Sequence, residues 1–329
     1  MNENQRPKSA LFQGSGPDFP APKIAIIVLN WNNYKDTKEC LLSLQKVCYS
    51  PLDIIIVDNG SQDASGARLK EEFPVHTFLF SGSNLGFTGG NNLGIRYALE
   101  HGADNVLLLN NDTVVSPNFL NILVAHGKKD SLVGISGPKI YYYNEPQRIW
   151  STGGYFKKLK GSMSTLGYNK IDRGEYADVA EADFISGCAI MIRKDVIQKV
   201  GFLDEMFFCY AEEVDFCMRA KRHGFKVVFI PDSVIWHKVS RTFGGALSPK
   251  YLYFRSRNRL LLVYKHFGKI YLAYCIVFHL IVFIPFKVLN ILRTRKNIWS
   301  RTLALVLGMV DFLAYTISKR FYFSKKYIF

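Results

Sequence analysis

Between Lys23 and about Ile230 the chain alternates short, continuous apolar runs with amphipathic stretches. Residues 24–29, 54–57, 77–80 and 106–109 have the length and the β-branched or leucine-rich character of strands covered on both faces. Residues 36–46 carry Cys40, Leu41 and Leu44 on one side, with Val47 just beyond, which is a helical spacing. Further helices are predicted at 91–101 and 117–126, the second with Ser116 as N-cap and Pro117 at its first position. A helix starting near Glu212 runs through Arg219 and His223 to Gly224, and a strand follows at 227–231. Apolar strands alternating with amphipathic helices predict an α/β fold on a parallel, doubly wound sheet.

In such sheets ligands sit outside the carboxyl ends of the strands, so the residues that end each apolar run carry the chemistry. Asn30-Trp31-Asn32-Asn33 ends the first run, Asp58-Asn59-Gly60-Ser61-Gln62-Asp63 the second, and Asn110-Asn111-Asp112 the fourth. Between them, residues 84–92 (Asn-Leu-Gly-Phe-Thr-Gly-Gly-Asn-Asn) read as a glycine-rich loop leading into a helix, where backbone can approach a ligand and the helix start favours an anion. Each cluster alone is also ordinary turn chemistry. Four at one sheet edge point to a nucleotide-diphosphate site. No Gly-Lys-Ser/Thr follows the glycines, and no GxGxxG follows the first strand, so neither a P-loop nor a dinucleotide site is indicated.

Three groups are candidates for the reaction itself. Asp112, delivered by an apolar strand, offers hard oxygen to Mg²⁺ or Mn²⁺, and a metal there neutralises charge on a departing diphosphate. Glu212, Glu213 and Asp215 follow an aromatic run, Phe207-Phe208-Cys209-Tyr210. Apolar surroundings raise a carboxylate towards the range a general base needs, although three acids at a helix start also complement its dipole. His237 follows the last strand as either a structural imidazole or a metal or diphosphate ligand. Next to it, Arg241 to Gly245 read as a polar loop.

Charge changes the picture only at the C-terminus. The chain carries 42 basic and 27 acidic residues, a net +15. From Lys250 onward there are 15 Lys or Arg and one acid, Asp311, so nearly all the excess lies there. It is interleaved with two apolar runs of 17 residues, 270–286 and 302–318. Basic-plus-apolar patterning fits an anionic membrane surface and not nucleic acid. Five basic residues separate the runs, which opposes a hairpin with that linker outside, so interfacial or re-entrant helices on the cytosolic leaflet are expected, with a transmembrane hairpin second and a soluble helical subdomain with a buried core third. Residues 1–22, with four prolines, read as a flexible leader. Six cysteines without CxxC spacing fit reduced core thiols.

The ordered set Ile27 to Asn32, Val57 to Asp63, 84–94, Leu109-Asn110-Asn111-Asp112, Gly187-Cys188-Ala189 and Glu212-Glu213-Val214-Asp215 resembles glycosyltransferase family 2, in its rhamnosyltransferase-like branch. The resemblance spans about residues 23–245. It implies a GT-A fold (the Rossmann-like nucleotide-diphospho-sugar transferase fold), inversion at the anomeric carbon and a divalent metal cofactor. Asn30 and Asp58 would meet the donor's base and ribose, with Asp63 supporting that loop. Gly86, Gly89, Asn91 and Asn111 would line the donor site. Asp112 matches the last acid of the family's Asp-x-Asp, with Asn110 in place of the first. The base maps to Glu213, with Glu212 and Asp215 as alternates, and His237 matches a metal or diphosphate ligand. With the leader (1–22) and the basic, apolar tail (250–329, membrane-associated) read from composition outside the resemblance, the catalytic domain is expected over 23–249. The implied partners are a nucleotide-diphosphate sugar and a glycan or lipid-linked acceptor. A nucleotidyltransferase would need a basic loop after the first strand, which Asn30 to Asn33 lack. A non-catalytic sugar- or nucleotide-binding subunit would lose the acids, which are present.

Overall fold

A computed structural model describes residues 20–239 and 247–318. The leader up to residue 19, the 241–245 loop and the chain beyond 318 lie outside the described residues.

Four predicted strands form one side of the sheet: β1 (Ile24–Asn30), β2 (Leu52–Asp58), β3 (Thr77–Phe80) and β4 (Asn105–Asn110). β3, β2, β1 and β4 are parallel, and Asn30 pairs with Asp58 while Leu29 pairs with Asn110. The three polar clusters therefore end level with one another. Alternate residues of β1 point into different cores: Ile24, Ile26 and Val28 to one face, Ala25 and Ile27 to the other.

Beyond β4 the sheet is mixed, which corrects the all-parallel expectation. The short β5 (Thr113–Val115) is followed by β6 (Val133–Tyr142), β7 (Glu145–Ser151), the β8–β9 hairpin (Gly154–Lys157 and Ser162–Thr165), β10 (Ala180–Glu181), β11 (Ala189–Arg193) and β12 (Lys226–His237). β11 lies antiparallel between β4 and β6, β12 runs parallel to β6, and β5 folds back antiparallel onto β12. β6 to β9 interleave glycines and polar residues with their apolar ones, so they lack the continuous runs that marked the first four; β11 is apolar from Ala189 to Ile192.

Helices α1 (Tyr34–Leu44), α2 (Ser65–Glu72), α3 (Gly86–Glu100), α4 (Phe119–Lys129), α5 (Lys194–Val200) and α6 (Glu212–Arg222) accompany the sheet. Two boundaries differ from expectation. α4 starts after Asn118, and Ser116 lends only its backbone carbonyl, to Phe119 N–H, instead of capping with its side chain. α3 starts at Gly86, so the glycine-rich segment is helix and not loop. A Cβ at Gly90 would stand 2.4 Å from Leu29 and one at Gly94 2.6 Å from Ile27. Those glycines let the helix lie directly on β1.

Packing runs straight through the boundary expected at residue 249. α7 (Pro249–His266) places Leu260, Leu261, Leu262 and Val263 in the same apolar core as β1, β4 and α6. After it, α8 (Lys269–Phe278), one π-helical turn and α9 (Ile284–Thr294) form a continuous 26-residue rod, and α10 (Ile298–Ser318) adds 21 residues. Both are long and apolar enough to cross a bilayer. α10 lies along α7 through Ala304, Leu305, Gly308, Met309 and Phe312, and a Cβ at Gly308 would meet the Tyr253 carbonyl at 2.3 Å. Trp299, Leu303, Val306, Val310 and Ile317 are exposed on its opposite face. Asp311, the tail's one acid, accepts from Tyr253 Oη at 2.5 Å. Among the described cysteines, five are buried free thiols and Cys48 is an exposed one.

Candidate active site

The carboxyl ends of β1, β2 and β4 carry a connected polar layer. Asn30 is fully buried, and its amide donates to Asp58 Oδ2 (2.9 Å), Ser65 Oγ (2.9 Å) and Ser61 Oγ (3.2 Å) while its oxygen accepts from Thr37 (2.8 Å). Asp58 in turn accepts from Ser61 N–H at 3.0 Å, and Gly66 packs so closely that a Cβ would sit 2.4 Å from its carboxylate. Asn30 therefore holds Asp58 and the β2–α2 turn in place from beneath; every polar atom it has is used within the protein. Asp63 is exposed and accepts from Ser65 N–H at 3.0 Å, fixing the turn that enters α2. Asn111 donates to Thr37 at 2.7 Å and ties the β4 end into the same layer.

The glycine-rich segment connects this layer to the acids of α6. Asn59 donates to Asn84 Oδ1 (3.2 Å) and the Gly86 carbonyl (3.1 Å), and accepts from Leu85 N–H (3.0 Å). Gly86 adopts φ +73°, and a Cβ there would lie 2.5 Å from the Phe208 carbonyl. That carbonyl also accepts from Thr88 N–H at 3.2 Å. Gly86 N–H goes to Asn84. The N–H groups of Leu85, Gly86 and Thr88 are thus taken by the protein, so the helix start that was expected to receive an anion instead receives the 208 loop. Gly89 sits against Leu85, and Asn91, also buried, donates back to the Phe87 carbonyl at 2.8 Å. These residues shape the wall of the site through the backbone.

The loop before α6 is strained. Phe208, Tyr210 and Ala211 all have positive φ, at 62°, 69° and 75°. Such conformations cost non-glycine residues about 1–3 kcal/mol each and persist where the surroundings over-determine them. Here α7 supplies the constraint. Asn258, 1% exposed, places its amide nitrogen 2.9, 2.7 and 2.9 Å from the carbonyls of Phe207, Cys209 and Tyr210, and Arg257 reaches the Met206 carbonyl at 2.8 Å. No sequence motif singles out Asn258. Its signal was the Arg255-Ser256-Arg257-Asn258-Arg259 run inside an otherwise apolar helix, whose last four residues are all buried.

This loop delivers Glu212 and Glu213 at the start of α6. Glu212 is buried and Glu213 half-buried, and one carboxylate oxygen of each is enclosed without a hydrogen bond. Burial raises both above the ordinary glutamate value, and for Glu212 the neighbouring Glu213 charge raises it further; Arg255 acts in the opposite direction on Glu213. Asp215 is different. Burial alone would raise its carboxyl, but a hydrogen bond from His266 (2.8 Å) and the Arg219 (2.8 Å) and Lys265 (2.9 Å) cations hold it well below the usual carboxylate range. Asp215 is thereby corrected from alternate base to an anchor joining α6 to α7. It is fully enclosed and stays ionised.

Asp112 and His237, 125 positions apart, are brought together by register. β5 pairs with β12 so that Thr113 faces His237, and Lys238 N–H donates to the Asp112 carbonyl at 2.9 Å. His237 Nε2 lies 2.9 Å from Asp112 Oδ1; both side chains are nearly buried, with Trp150 edge-on to the imidazole at 4.5 Å. His237 Nδ1 is enclosed without a partner among the described residues. One carboxylate oxygen and one imidazole nitrogen 2.9 Å apart form an oxygen–nitrogen donor pair that would suit a divalent cation such as Mn²⁺ or Mg²⁺. Among the described residues no group of three or more His, Cys, Asp or Glu could hold an ion by itself. Glu213 faces the same edge. β11 pairs with β4, Asn110 N–H donates to the Cys188 carbonyl (2.8 Å), and a Cβ on the adjoining Gly187 would lie 3.7 Å from Glu213 Cβ. A cavity of about 420 Å³ lined by Asp104, Ser136 and Arg193 opens at the opposite edge of the sheet, away from these groups.

One edge of this α/β sheet thus carries a carboxylate–imidazole pair and a half-buried glutamate, and comparison with known proteins gives the class. Residues 105–318 match the family model for glycosyltransferase family group 2, and the chain belongs to that family. It is similar to the low-salt glycan biosynthesis hexosyltransferase of Haloferax volcanii (27% identity, covering 71% of this chain and 74% of the relative) and to the dTDP-rhamnosyl transferase of Shigella flexneri (25%, covering 83% and 89%). A third relative is the N-acetylglucosaminyl-diphospho-decaprenol L-rhamnosyltransferase of Mycobacterium tuberculosis (23%, covering 67% and 78%). Among solved structures, a mannosyltransferase from Pyrobaculum calidifontis in complex with GDP-mannose and Mn²⁺ shares the fold, with TM-score 0.54 at 14% identity over 88% of each chain. The protein is a glycosyltransferase of this family with a GT-A-like fold, similar to rhamnosyltransferases and hexosyltransferases, as its ordered motifs had indicated.

Proposed function

We propose that the protein is a metal-dependent, inverting glycosyltransferase that moves a hexose, with rhamnose from a thymidine-diphosphate donor the leading choice, onto a lipid-linked or membrane-proximal glycan acceptor at the cytosolic face of a membrane. The observation that carries this reading is the convergence on one sheet edge of the Asp112–His237 pair, the strand-end clusters around Asp58 and the enclosed carboxylate of Glu213. In this reading Asp58, with Asn30 beneath it, sets the floor for the donor's base and ribose. Asp112 and His237 hold a divalent metal, which when bound supplies charge neutralisation for the departing diphosphate. Glu213 accepts the proton of the acceptor hydroxyl. The acceptor oxygen forms its bond to the anomeric carbon on one face as the bond to diphosphate breaks on the other, and the diphosphate leaves with the electron pair. A carboxylate raised by burial and keeping one oxygen without a hydrogen bond is matched to that proton transfer. Glu212 lies deeper, and the neighbouring Glu213 charge adds to burial in raising its carboxyl.

The membrane reading is supported by the apolar faces that α8, α9 and α10 leave uncovered. Ile270, Ile281, Phe286 and Leu289 on the rod, and Trp299 and Ile317 on α10, are more than half exposed. A soluble protein rarely leaves contiguous apolar area of that kind in water. Because α10 lies lengthwise on α7, whose other face is in the catalytic core, its outer stripe suits a helix lying in the interface better than one crossing it. Two neighbouring observations accord with the substrate class: the relatives' names include dTDP-rhamnosyl transfer and a diphospho-decaprenol acceptor.

The test is product stereochemistry. Full-length protein in detergent is given dTDP-β-L-rhamnose and an N-acetylglucosaminyl-diphospho-polyprenol, and the anomeric configuration of the product is read by NMR. An α-linked product supports the reading; a β-linked product, or turnover only with water-soluble acceptors, opposes it.

A further inference from the structure

We propose that the tip of the β8–β9 hairpin, Lys157-Lys158-Leu159-Lys160, is a second membrane contact that places Leu159 in an anionic lipid surface beside the root of α8. The proposal rests on the reading of α8–α10 as membrane-associated, and extends it to a part of the catalytic domain far from those helices in sequence.

Leu159 is 82% exposed, at the centre of a single 3-10 turn flanked by exposed Lys158 and Lys160. A leucine that exposed is ordinary on a mobile loop, but this loop is held. Four successive carbonyls are taken up by α7 and α8. Lys158 accepts from Tyr271 Oη, Leu159 from Tyr274 Oη at 2.7 Å, Lys160 from Arg259 Nη2 and Gly161 from Arg259 Nε at 3.0 Å. Gly161 has φ +54°, and a Cβ on it would stand 2.6 Å from Cys275 Sγ, so the turn is pressed directly onto the first turns of α8. A fixed leucine between lysines, pointing away from every core, is the arrangement a lipid surface accepts and water does not favour.

Position identifies the occupant. α8 begins at Lys269, with Ile270 90% exposed, and Tyr271, Tyr274 and Phe278 make an aromatic series along its first turns. Aromatic residues of that kind mark the headgroup level. Tyr274 lies four residues beyond Ile270, about 6 Å further along the helix axis. The turn tied to Tyr271 and Tyr274 therefore lies beside the exposed apolar stripe of the rod, at the level where interfacial apolar residues sit. Its lysines continue the basic surface of the tail, and anionic headgroups complement both. The tip widens the contact made by the helical rod with residues of the catalytic domain itself, which restrains how that domain tilts over the leaflet.

The experiment uses the full-length chain with Cys48→Ser, which removes the exposed thiol and leaves the five buried ones. A single cysteine is introduced as Leu159→Cys, Ile281→Cys on the rod or Val75→Cys on the α2–β3 connection, and each is labelled with an environment-sensitive fluorophore. The proteins are reconstituted with phosphatidylcholine–phosphatidylglycerol vesicles containing nitroxide-labelled lipid. Quenching and a blue shift at 159 and 281 but not at 75 is the expected result. Quenching at 281 with 159 as unaffected as 75 overturns the proposal while leaving the membrane reading standing. Absence of quenching at both 281 and 159 overturns the membrane reading and the proposal with it. In phosphatidylcholine alone, or with Lys158→Glu and Lys160→Glu in the charged vesicles, quenching at 159 is expected to fall; an unchanged signal in both overturns the anionic-lipid assignment.

Discussion

Asn258→Leu replaces a buried amide with an apolar side chain of similar volume, and its consequences can be worked from the loop it holds. The amide has two hydrogens to share among three carbonyls. The Phe207 carbonyl keeps a second donor, Cys209 N–H at 2.7 Å, so Cys209 and Tyr210 are the carbonyls that lose most. Leaving a buried acceptor unpaired costs about 1–3 kcal/mol, so two come to about 2–6 kcal/mol, within the 5–15 kcal/mol by which a domain is usually stable. The variant should fold with a clearly lowered thermal midpoint. The catalytic effect should exceed what stability alone implies. The left-handed residues at 208, 210 and 211 are held against their own preference, and on release they shift the start of α6 and with it Glu213. A displacement of about 1 Å at a reacting group can cost about 100-fold in rate. The assay pairs thermal unfolding in detergent with nucleoside diphosphate release, reading kcat and donor KM separately. A kcat loss of about that size, with donor KM little changed, is expected; Asn258→Asp, which turns a second oxygen towards the three carbonyls, should be worse. Wild-type kcat in either variant would refute the clamp.

Glu213→Gln should lower kcat by about 10²- to 10⁴-fold, the range of a lost general base, with a smaller loss for Glu212→Gln, both read by diphosphate release. The same two substitutions should stabilise the protein at neutral and higher pH. Both carboxyls bind their proton more tightly folded than unfolded, so the stability they contribute is full below the ordinary 4.5 and is lost as pH rises through the raised values; thermal midpoints of variant and wild type should converge near pH 4 and separate above it. Asp215→Asn has the opposite sign. A depressed carboxyl contributes stability above its unfolded value, and breaking a buried ion cluster costs about 3–5 kcal/mol, so the variant should melt earlier at pH 7 with the gap closing as pH falls through the depressed value. Gly86→Ala, whose Cβ would meet the Phe208 carbonyl at 2.5 Å at a positive φ, should lose activity through the same loop as Asn258→Leu, checked by kcat with circular dichroism to confirm folding.

How much of this was legible in the sequence follows from which contacts are local. β1, β2 and β4 announced themselves because strands covered on both faces are continuously apolar, and their polar ends followed from the chain simply leaving the sheet. Asp112 and His237 were separately visible as a strand-end acid and a strand-end imidazole, but their 2.9 Å approach depends on β5 folding back onto β12, a pairing across more than a hundred residues that no periodicity encodes. Asn30 and Asn91 were visible as members of polar clusters and assigned to the ligand; burial shows their amides engaged with the protein. Of the mixed half only the first part of β12 was legible, because β6 to β9 interleave glycine and polar residues with their apolar ones. α7 was hidden by its own composition: a basic, apolar helix next to two greasier ones has the pattern of a membrane segment, and only packing reveals that Arg257 and Asn258 face the loop of Glu213.

The central claim is that Asp112, with His237, and Glu213 serve one reaction. Its most direct test is nucleoside diphosphate release from a panel of nucleotide sugars with and without Mn²⁺ or Mg²⁺, comparing full-length wild type with Asp112→Ala and Glu213→Gln in the presence of membrane lipid extract. Release from one donor that requires metal in the wild type and is lost in both variants is the predicted result. Metal-independent release, or release undiminished in both variants, would contradict it.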